Sequence, residues 1–314
     1  MARKKHYKSG VRTIEQVTKD FLTQAKSKIK ESTFSRYNFI CERHLIPYFE
    51  DMDLDKLNDE SIIKFMQHKL NIGGLTGKPL SPKTINDMIC LLLQIVKRYC
   101  KLDIDVEKLS CKQSEIGVFT ETEYNCLKAH LSIGTDNKKL GIIVAMLTGI
   151  RIGELCALKW ENIDLDGSII VINKTMQRIK TNAESGSAKT KIIIDTPKSN
   201  ASVRTIPIPE ILRQKLKCFK SQDNTYLLTN TTDYIEPRIY QRHFKKYLSA
   251  CNIKDNNFHA LRHTFATRAI SREVDIKTVS LLLGHTDVSF TMKRYVHPNM
   301  EHKRIQIEKL AIGF

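Results

Sequence analysis

The chain has 314 residues, of which 51 are Lys or Arg and 34 are Asp or Glu, giving a formal charge of +17 with histidines neutral. With 41% hydrophobic residues, 13 Gly and 8 Pro, the composition supports an ordinary buried core and excludes a disordered, collagenous or low-complexity chain. No apolar run approaches the roughly 18 residues of a membrane span, and the basic start from Met1 to Arg12 has no apolar signal segment, so a cytoplasmic location and no membrane partner are expected.

From Thr13 to Ile29, the residues Ile14, Val17, Phe21, Ala25 and Ile29 recur at spacings of three and four, the pattern of an amphipathic helix. A second helix is predicted over 32–48 from Phe34, Tyr37, Ile40, Cys41 and Leu45, and a third over 58–70. Gly73, Gly74 and Gly77 then break the pattern. Ser81 and Pro82, a capping residue and a first-turn proline, open a fourth helix carried by Ile85, Met88, Ile89, Leu92, Ile95, Val96 and Tyr99. These helices predict an all-helical domain over 11–102. The polar, weakly periodic stretch 103–115 reads as a linker to a second domain over 116–314.

In the second domain, helices are predicted over 121–131 and 138–147, followed by strands at Ile169–Ile172, Lys191–Asp195 and Val203–Ile208. The last two strands are joined through the turn-rich Pro197-Lys198-Ser199-Asn200. Thr181 to Ala188 reads as an exposed loop, and helical patterns run from Pro209 almost to the end. The expected fold class is therefore mainly α with a small antiparallel β-sheet.

Divided after residue 110, the chain carries +6 in the first part and +11 in the second. Two basic pieces suit a polyanion such as nucleic acid better than one sticky arm would, although a generally basic surface is the alternative. The eight cysteines are scattered, without a CxxC pair or a Cys/His cluster, so they read as reduced thiols and no metal site or disulfide framework is expected.

Three segments could carry chemistry. In Leu147-Thr148-Gly149-Ile150-Arg151-Ile152-Gly153-Glu154-Leu155, a turn leads into a helix that puts Arg151 and Glu154 on one face. An arginine there suits a phosphate diester because its planar fork matches two oxygens, with Glu154 to orient it; a surface salt bridge is the alternative. In His259-Ala260-Leu261-Arg262-His263, two imidazoles beside an arginine give proton-transfer groups next to an anion binder, unless they are structural histidines. A cation between the imidazoles argues against a metal site. Leu283-Gly284-His285 ends a helix and is followed ten residues later by Tyr295, which taken alone would be an ordinary packing residue. Lys198 sits at the strand connection and could reach away from the sheet.

Taken in order, Thr148-Gly149-Ile150-Arg151-Ile152-Gly153-Glu154-Leu155, Thr196-Pro197-Lys198 with Arg204-Thr205-Ile206-Pro207, His259-x-x-Arg262-His263, Leu283-Gly284-His285 and Tyr295 resemble the tyrosine recombinase (phage integrase) family. The resemblance is colinear and extends over essentially the whole chain. It implies a SAM-like core-binding domain followed by an α+β catalytic domain with a C-terminal tail over 299–314. It also implies that Tyr295 attacks a scissile DNA phosphate, forming a 3′-phosphotyrosine bond and releasing a 5′-hydroxyl. Arg151 and Arg262 would hold the non-bridging oxygens, Lys198 would be the general acid, His259 the base or proton acceptor, and His285 a hydrogen-bond donor to the phosphate. Glu154 and His263 would support the pocket. No cofactor is implied, because arginines, a lysine and imidazoles can do here what divalent metals do in other phosphoryl transfers.

The implied partners are double-stranded DNA with specific recombination sites, further copies of the chain in a tetramer on two duplexes, and accessory DNA-bending or directionality factors. The apolar tail would pack into a neighbouring protomer, or else back onto its own domain. Two readings stand inside the family: the integrase of a phage or conjugative element, favoured by the strand insert from Thr181 to Lys191, and a Xer-like recombinase that resolves chromosome dimers. A non-catalytic DNA-binding regulator is the rival from another class, and a type IB topoisomerase would share the chemistry without needing a defined site.

Overall fold

The computed structural model describes residues 12–74, 77–99, 102, 104–111, 117–181, 189–197, 200–295, 300, 304 and 307–308. Two compact units divide the chain: Met1–Ser114 with Ile179–Lys191, and Glu115–Arg178 with Ile192–Phe314.

In the first unit, helix α1 (Ile14–Ala25) starts at a reciprocal cap, in which the Thr13 hydroxyl accepts from the Gln16 amide and the Gln16 side chain accepts from the Thr13 amide. The stretch predicted as one helix over 32–48 is helical throughout but not uniform: α2 (Glu31–Ile40) passes through a wider π-type turn at Cys41–Leu45 into α3 (Ile46–Phe49). Pro47, in the first turn of α3, has no amide hydrogen to give the preceding turn, which accounts for an irregular ladder just there. Helices α4 (Asp59–Ile72) and α5 (Pro82–Tyr99) complete the unit around a core that includes Phe49, Ile62, Phe65, Ile85, Leu92 and Ile95. The described part of the 103–115 stretch is less free than its polarity suggests. Asn86 clamps the backbone of Leu109 with two hydrogen bonds of 2.9 and 3.0 Å, and Ile104, Val106 and Leu109 pack against the helical core.

In the second unit, α6 (Glu121–Ser132), α7 (Asn137–Thr148) and the short α8 (Ile152–Cys156) lead into the sheet strands β1 (Ile163–Asp164) and β2 (Ile169–Ile172). Strands β3 (Thr175–Lys180) and β4 (Thr190–Asp195), whose residues from Ile179 to Lys191 belong to the first unit, form a separate two-stranded sheet, and β5 (Arg204–Pro207) returns to pair antiparallel with β2 in the order β1-β2-β5. The connection from β4 to β5 therefore joins strands of two different sheets rather than a paired hairpin. The reason lies in the inward faces: Ile170 and Ile172 of β2 stand opposite Ile206 and Arg204 of β5, so the two buried rows match in register. Strand β3 has no counterpart among the predicted strands, because its Thr-Met-Gln-Arg-Ile-Lys has only weak apolar alternation. Residues 182–188, expected to be an exposed loop, lie outside the described residues.

Five helices follow: α9 (Glu210–Phe219), α10 (Pro237–Ala250), α11 (His259–Ser271), α12 (Ile276–Leu283) and α13 (Val288–Tyr295). The main core of this unit gathers Trp160, Tyr240, Phe244, Phe258, Leu155, Ile206 and Leu261. A smaller separate cluster contains Ala266, Val279, Leu283 and Tyr295. Of the expected tail, Met300 and Ile307 are described and are exposed. No helix among the described residues is long and apolar enough to cross a membrane.

Candidate active site

Two helix ends build the floor of the site. Helix α7 stops at Gly149 and α12 at Gly284, both in the left-handed conformation with φ of 65° and 66°. A side chain at either glycine would do more than strain the backbone, since a Cβ on Gly149 would come 2.6 Å from the Phe265 ring and one on Gly284 would come 3.0 Å from the carbonyl oxygen of Ala201. Each turn leaves carbonyl oxygens at the negative end of its helix, where cations are stabilised.

Three guanidinium groups occupy those carbonyls. Arg262, on α11 and only 3% exposed, donates to the Gly149 oxygen at 2.9 Å and to the Leu283 oxygen at 2.6 Å. Arg204, on β5, donates from Nε to the Leu282 oxygen at 2.6 Å. Arg151, the residue before α8, donates to the Gly284 oxygen at 3.3 Å and keeps the most open side chain of the three. Residues drawn from positions 151, 204 and 262 thus converge on one short segment, 282–284.

Glu154 ties the cluster together. Its carboxylate accepts from the Arg151 side chain at 2.7 Å, from the Arg151 backbone amide at 2.9 Å, and from Arg204 at 3.1 and 3.0 Å, while being almost fully buried. Burial alone would raise its pKa, but the hydrogen bonds and charge of Arg204, with help from Arg151, outweigh this and hold it below the usual carboxylate range. Three cations against one anion leave the cluster positive. Burial first, then the charge of Arg151, pushes the Arg262 guanidinium down to about 9. A bound oxyanion would relieve that tension, and each terminal nitrogen of Arg262 carries a second N–H beyond the one given to a carbonyl.

Imidazoles and a phenol complete the site. His285, directly after Gly284, has its Nδ1 2.8 Å from the hydroxyl of buried Thr291 on α13. Burial, followed by Arg262 and Arg151, lowers its pKa to about 4, so the ring is neutral. His259 and His263 lie one turn apart on α11, with ring centroids 5.7 Å from each other. Burial and Arg262 lower His259 as well. Tyr295, at the end of α13 and 8% exposed, has its hydroxyl 2.6 Å from Nδ1 of His263. Burial raises the phenol's pKa against the pull of Arg262 and Arg294. Arg294 lies over the Phe290 ring, with its Nε buried and unpaired.

The structure therefore brings Arg151, Glu154, Arg262 and His285 into one cluster, and puts Tyr295 against His263 rather than against His259. Lys198 lies outside the described residues. Arg204 and Thr291 join the site without having been expected there from the sequence. For Arg204 a signal existed: a charged residue at an inward position of the strand Val203–Ile208 must find a buried partner.

Comparison with known proteins gives a consistent picture. Residues 118–302 match the phage integrase family, and residues 13–70 match the phage integrase N-terminal SAM-like domain. The chain is 29% identical to a XerC-like tyrosine recombinase of Caldanaerobacter subterraneus subsp. tengcongensis, over 90% of this chain and 78% of that protein. It is 22% identical to the ICEBs1 integrase of Bacillus subtilis, over 92% and 80% respectively. Among solved structures, the Tn1549 transposon integrase in complex with transposon right end DNA has the same fold, with a TM-score of 0.74 at 21% identity over 96% of this chain and 100% of that one. A lambda integrase dimer bound to a core site matches at 0.61 and 16% identity, over 92% and 97%.

Proposed function

The chain belongs to the phage integrase family, the tyrosine recombinases, which cut and rejoin DNA at specific sites, and we propose that it is the integrase of a mobile element, with Tyr295 as its nucleophile. The observation that carries the chemical part is the positive cluster of Arg151, Arg204 and Arg262 around Glu154, in one unit with Tyr295. In this reading Arg151 and Arg262 grip the non-bridging oxygens of the scissile phosphate and stabilise the charge of the pentacoordinate transition state. Glu154 and Arg204 hold Arg151 in place. His259 and His285 line the phosphate site, and Lys198 protonates the departing 5′-oxygen. The covalent 3′-phosphotyrosine keeps the bond energy for rejoining, so no ATP is spent.

The mobile-element assignment is supported by likeness to the Tn1549 transposon integrase and the ICEBs1 integrase along most of the chain. A Xer-like role has its own support in the 29% identity to the XerC-like recombinase. Double-stranded DNA is the substrate in either case, in keeping with two basic parts at +6 and +11 and with the DNA-bound structures of the relatives. Assembly into a tetramer on two duplexes, with the 299–314 tail exchanged between protomers, is part of the same reading, as are a cytoplasmic location and accessory DNA-bending factors; the lambda integrase tetramer on a Holliday junction supports the assembly.

The test is a denaturing gel of the purified protein with labelled nicked duplexes in EDTA, comparing wild type with Tyr295→Phe. A denaturant-resistant DNA adduct formed by wild type alone is the expected result. Salt-sensitive binding without any adduct would instead favour a non-catalytic regulator.

A further inference from the structure

Resting on the recombinase reading, we infer that His263, rather than His259, takes the phenolic proton of Tyr295 as the tyrosine attacks the phosphate and returns it when the strand is rejoined. The two imidazoles are four residues apart on α11 and look equivalent in sequence. Of the two, His263 is the one in hydrogen-bond contact with the nucleophile, with Nδ1 2.6 Å from the Tyr295 oxygen. With the ring proton on Nε2, the lone pair of Nδ1 faces the phenol O–H. The surroundings keep that lone pair free. The groups facing His263 are Arg294 from α13, His259 and Arg262 from α11, and Tyr295 itself, with no carboxylate among them. Burial and these cations hold the imidazole neutral, with a pKa pushed down to about 4. Tyr295 is 8% exposed, which leaves little room for water to act as base in place of the imidazole.

A bond forms between the Tyr295 oxygen and phosphorus while the bond from phosphorus to the 5′-oxygen breaks; the phenol proton passes to Nδ1 of His263, and the 5′-oxygen leaves as a hydroxyl with a proton from Lys198. In rejoining, the 5′-hydroxyl attacks the phosphotyrosine and gives its proton back to Lys198, while the bond from phosphorus to the Tyr295 oxygen breaks and the departing phenolate recovers its proton from His263. A neutral imidazole of low basicity suits the reversible duty, because it gives the proton back readily. The negative charge of the phosphate offsets the imidazolium that forms between Arg294 and Arg262.

A pool of nicked duplexes of randomised sequence, sequenced after covalent capture by wild type, supplies a half-site. The probe is that half-site with sulfur replacing the bridging 5′-oxygen, since the thiolate leaves without a proton and the rate then reports the nucleophile's side alone. His263→Asn keeps an acceptor oxygen near the position of Nδ1 but cannot take up a proton. It is expected to slow adduct formation by about 10²-fold and to give a rate that climbs with pH as the phenol ionises unaided. Wild type should instead be flat across neutral pH, as should His259→Asn whatever its absolute rate, and DNA affinity should be the same in wild type and His263→Asn. His263→Ala should regain adduct formation when free imidazole is added, which a merely structural loss would not do. The inference is overturned if His263→Asn keeps the wild-type rate and pH profile, or if the sloping profile belongs to His259→Asn. If wild type forms no adduct, or Tyr295→Phe still forms one, the recombinase reading itself fails and the inference falls with it.

Discussion

Arg204 and Glu154 form a buried two-pronged ion pair, with nitrogen to oxygen distances of 3.1 and 3.0 Å, that holds the carboxylate on which Arg151 rests. Removing Arg204 leaves the buried carboxylate with Arg151 alone as its charged partner, whereas Arg151 is partly solvated and can find water. Arg204→Met should therefore destabilise the second unit by about 3–5 kcal/mol, and Arg151→Met by about 1 kcal/mol or less. Urea unfolding of the two variants checks the ordering.

The histidines predict an acid-sensitive fold. His44, His263 and His285 are each pushed down to about 4, in every case by burial first. An unfolded chain protonates these rings near 6.5, so it binds more protons than the folded chain between those values. Stability is then fully present above about pH 6.5 and is lost as the pH falls toward 4. Thermal melts across that window should show a falling midpoint. His285→Asn should flatten the dependence while retaining a partner for Thr291.

Positive φ angles at three glycines separate strain from crowding. Gly134, at 54°, has open space where a Cβ would go; Gly284 has neighbours at 3.0 Å; Gly149 has the Phe265 ring at 2.6 Å. Alanine at each carries the left-handed penalty of about 1–2 kcal/mol. The cost should rise in the order Gly134→Ala, Gly284→Ala, Gly149→Ala. The last two should also weaken anion binding, because their turns supply carbonyls to Arg151 and Arg262. Equilibrium unfolding and phosphate titration read the two effects separately.

Inorganic phosphate should bind the arginine cluster and raise the melting temperature relative to chloride at equal ionic strength, as any ligand specific to the folded state does. Arg262→Gln should abolish the difference. Equal melting of wild type and variant in phosphate and chloride would remove the cluster from consideration as an anion site.

Much of this arrangement was legible in the sequence, for identifiable reasons. The helices of the first unit follow from a regular apolar period and from the Ser81-Pro82 start of the fourth, signals that act within a turn or two. The pairing of Arg151 with Glu154 is also local, three residues along one short helix. Contacts made across the fold were not legible. Nothing within a few residues of Tyr295 says that its hydroxyl meets the second rather than the first histidine of a helix 32 residues earlier. Nor does the alternation of Lys191–Asp195 and Val203–Ile208 say that each pairs with an earlier strand rather than with the other. The choice depends on which buried rows match once the sheet exists.

The nucleophile and the phosphate grip rest on different foundations. Arg151, Arg204 and Arg262 are carried at α8, on β5 and on α11, whose apolar residues Leu155, Ile206 and Leu261 enter the main core, while Tyr295 packs with Ala266, Val279 and Leu283 in a smaller cluster. Local opening is cheapest where few apolar contacts hold a segment. Backbone amides of α13 should accordingly exchange with solvent long before those of α7 or α11, so the blade can be drawn and sheathed while the vice stays shut.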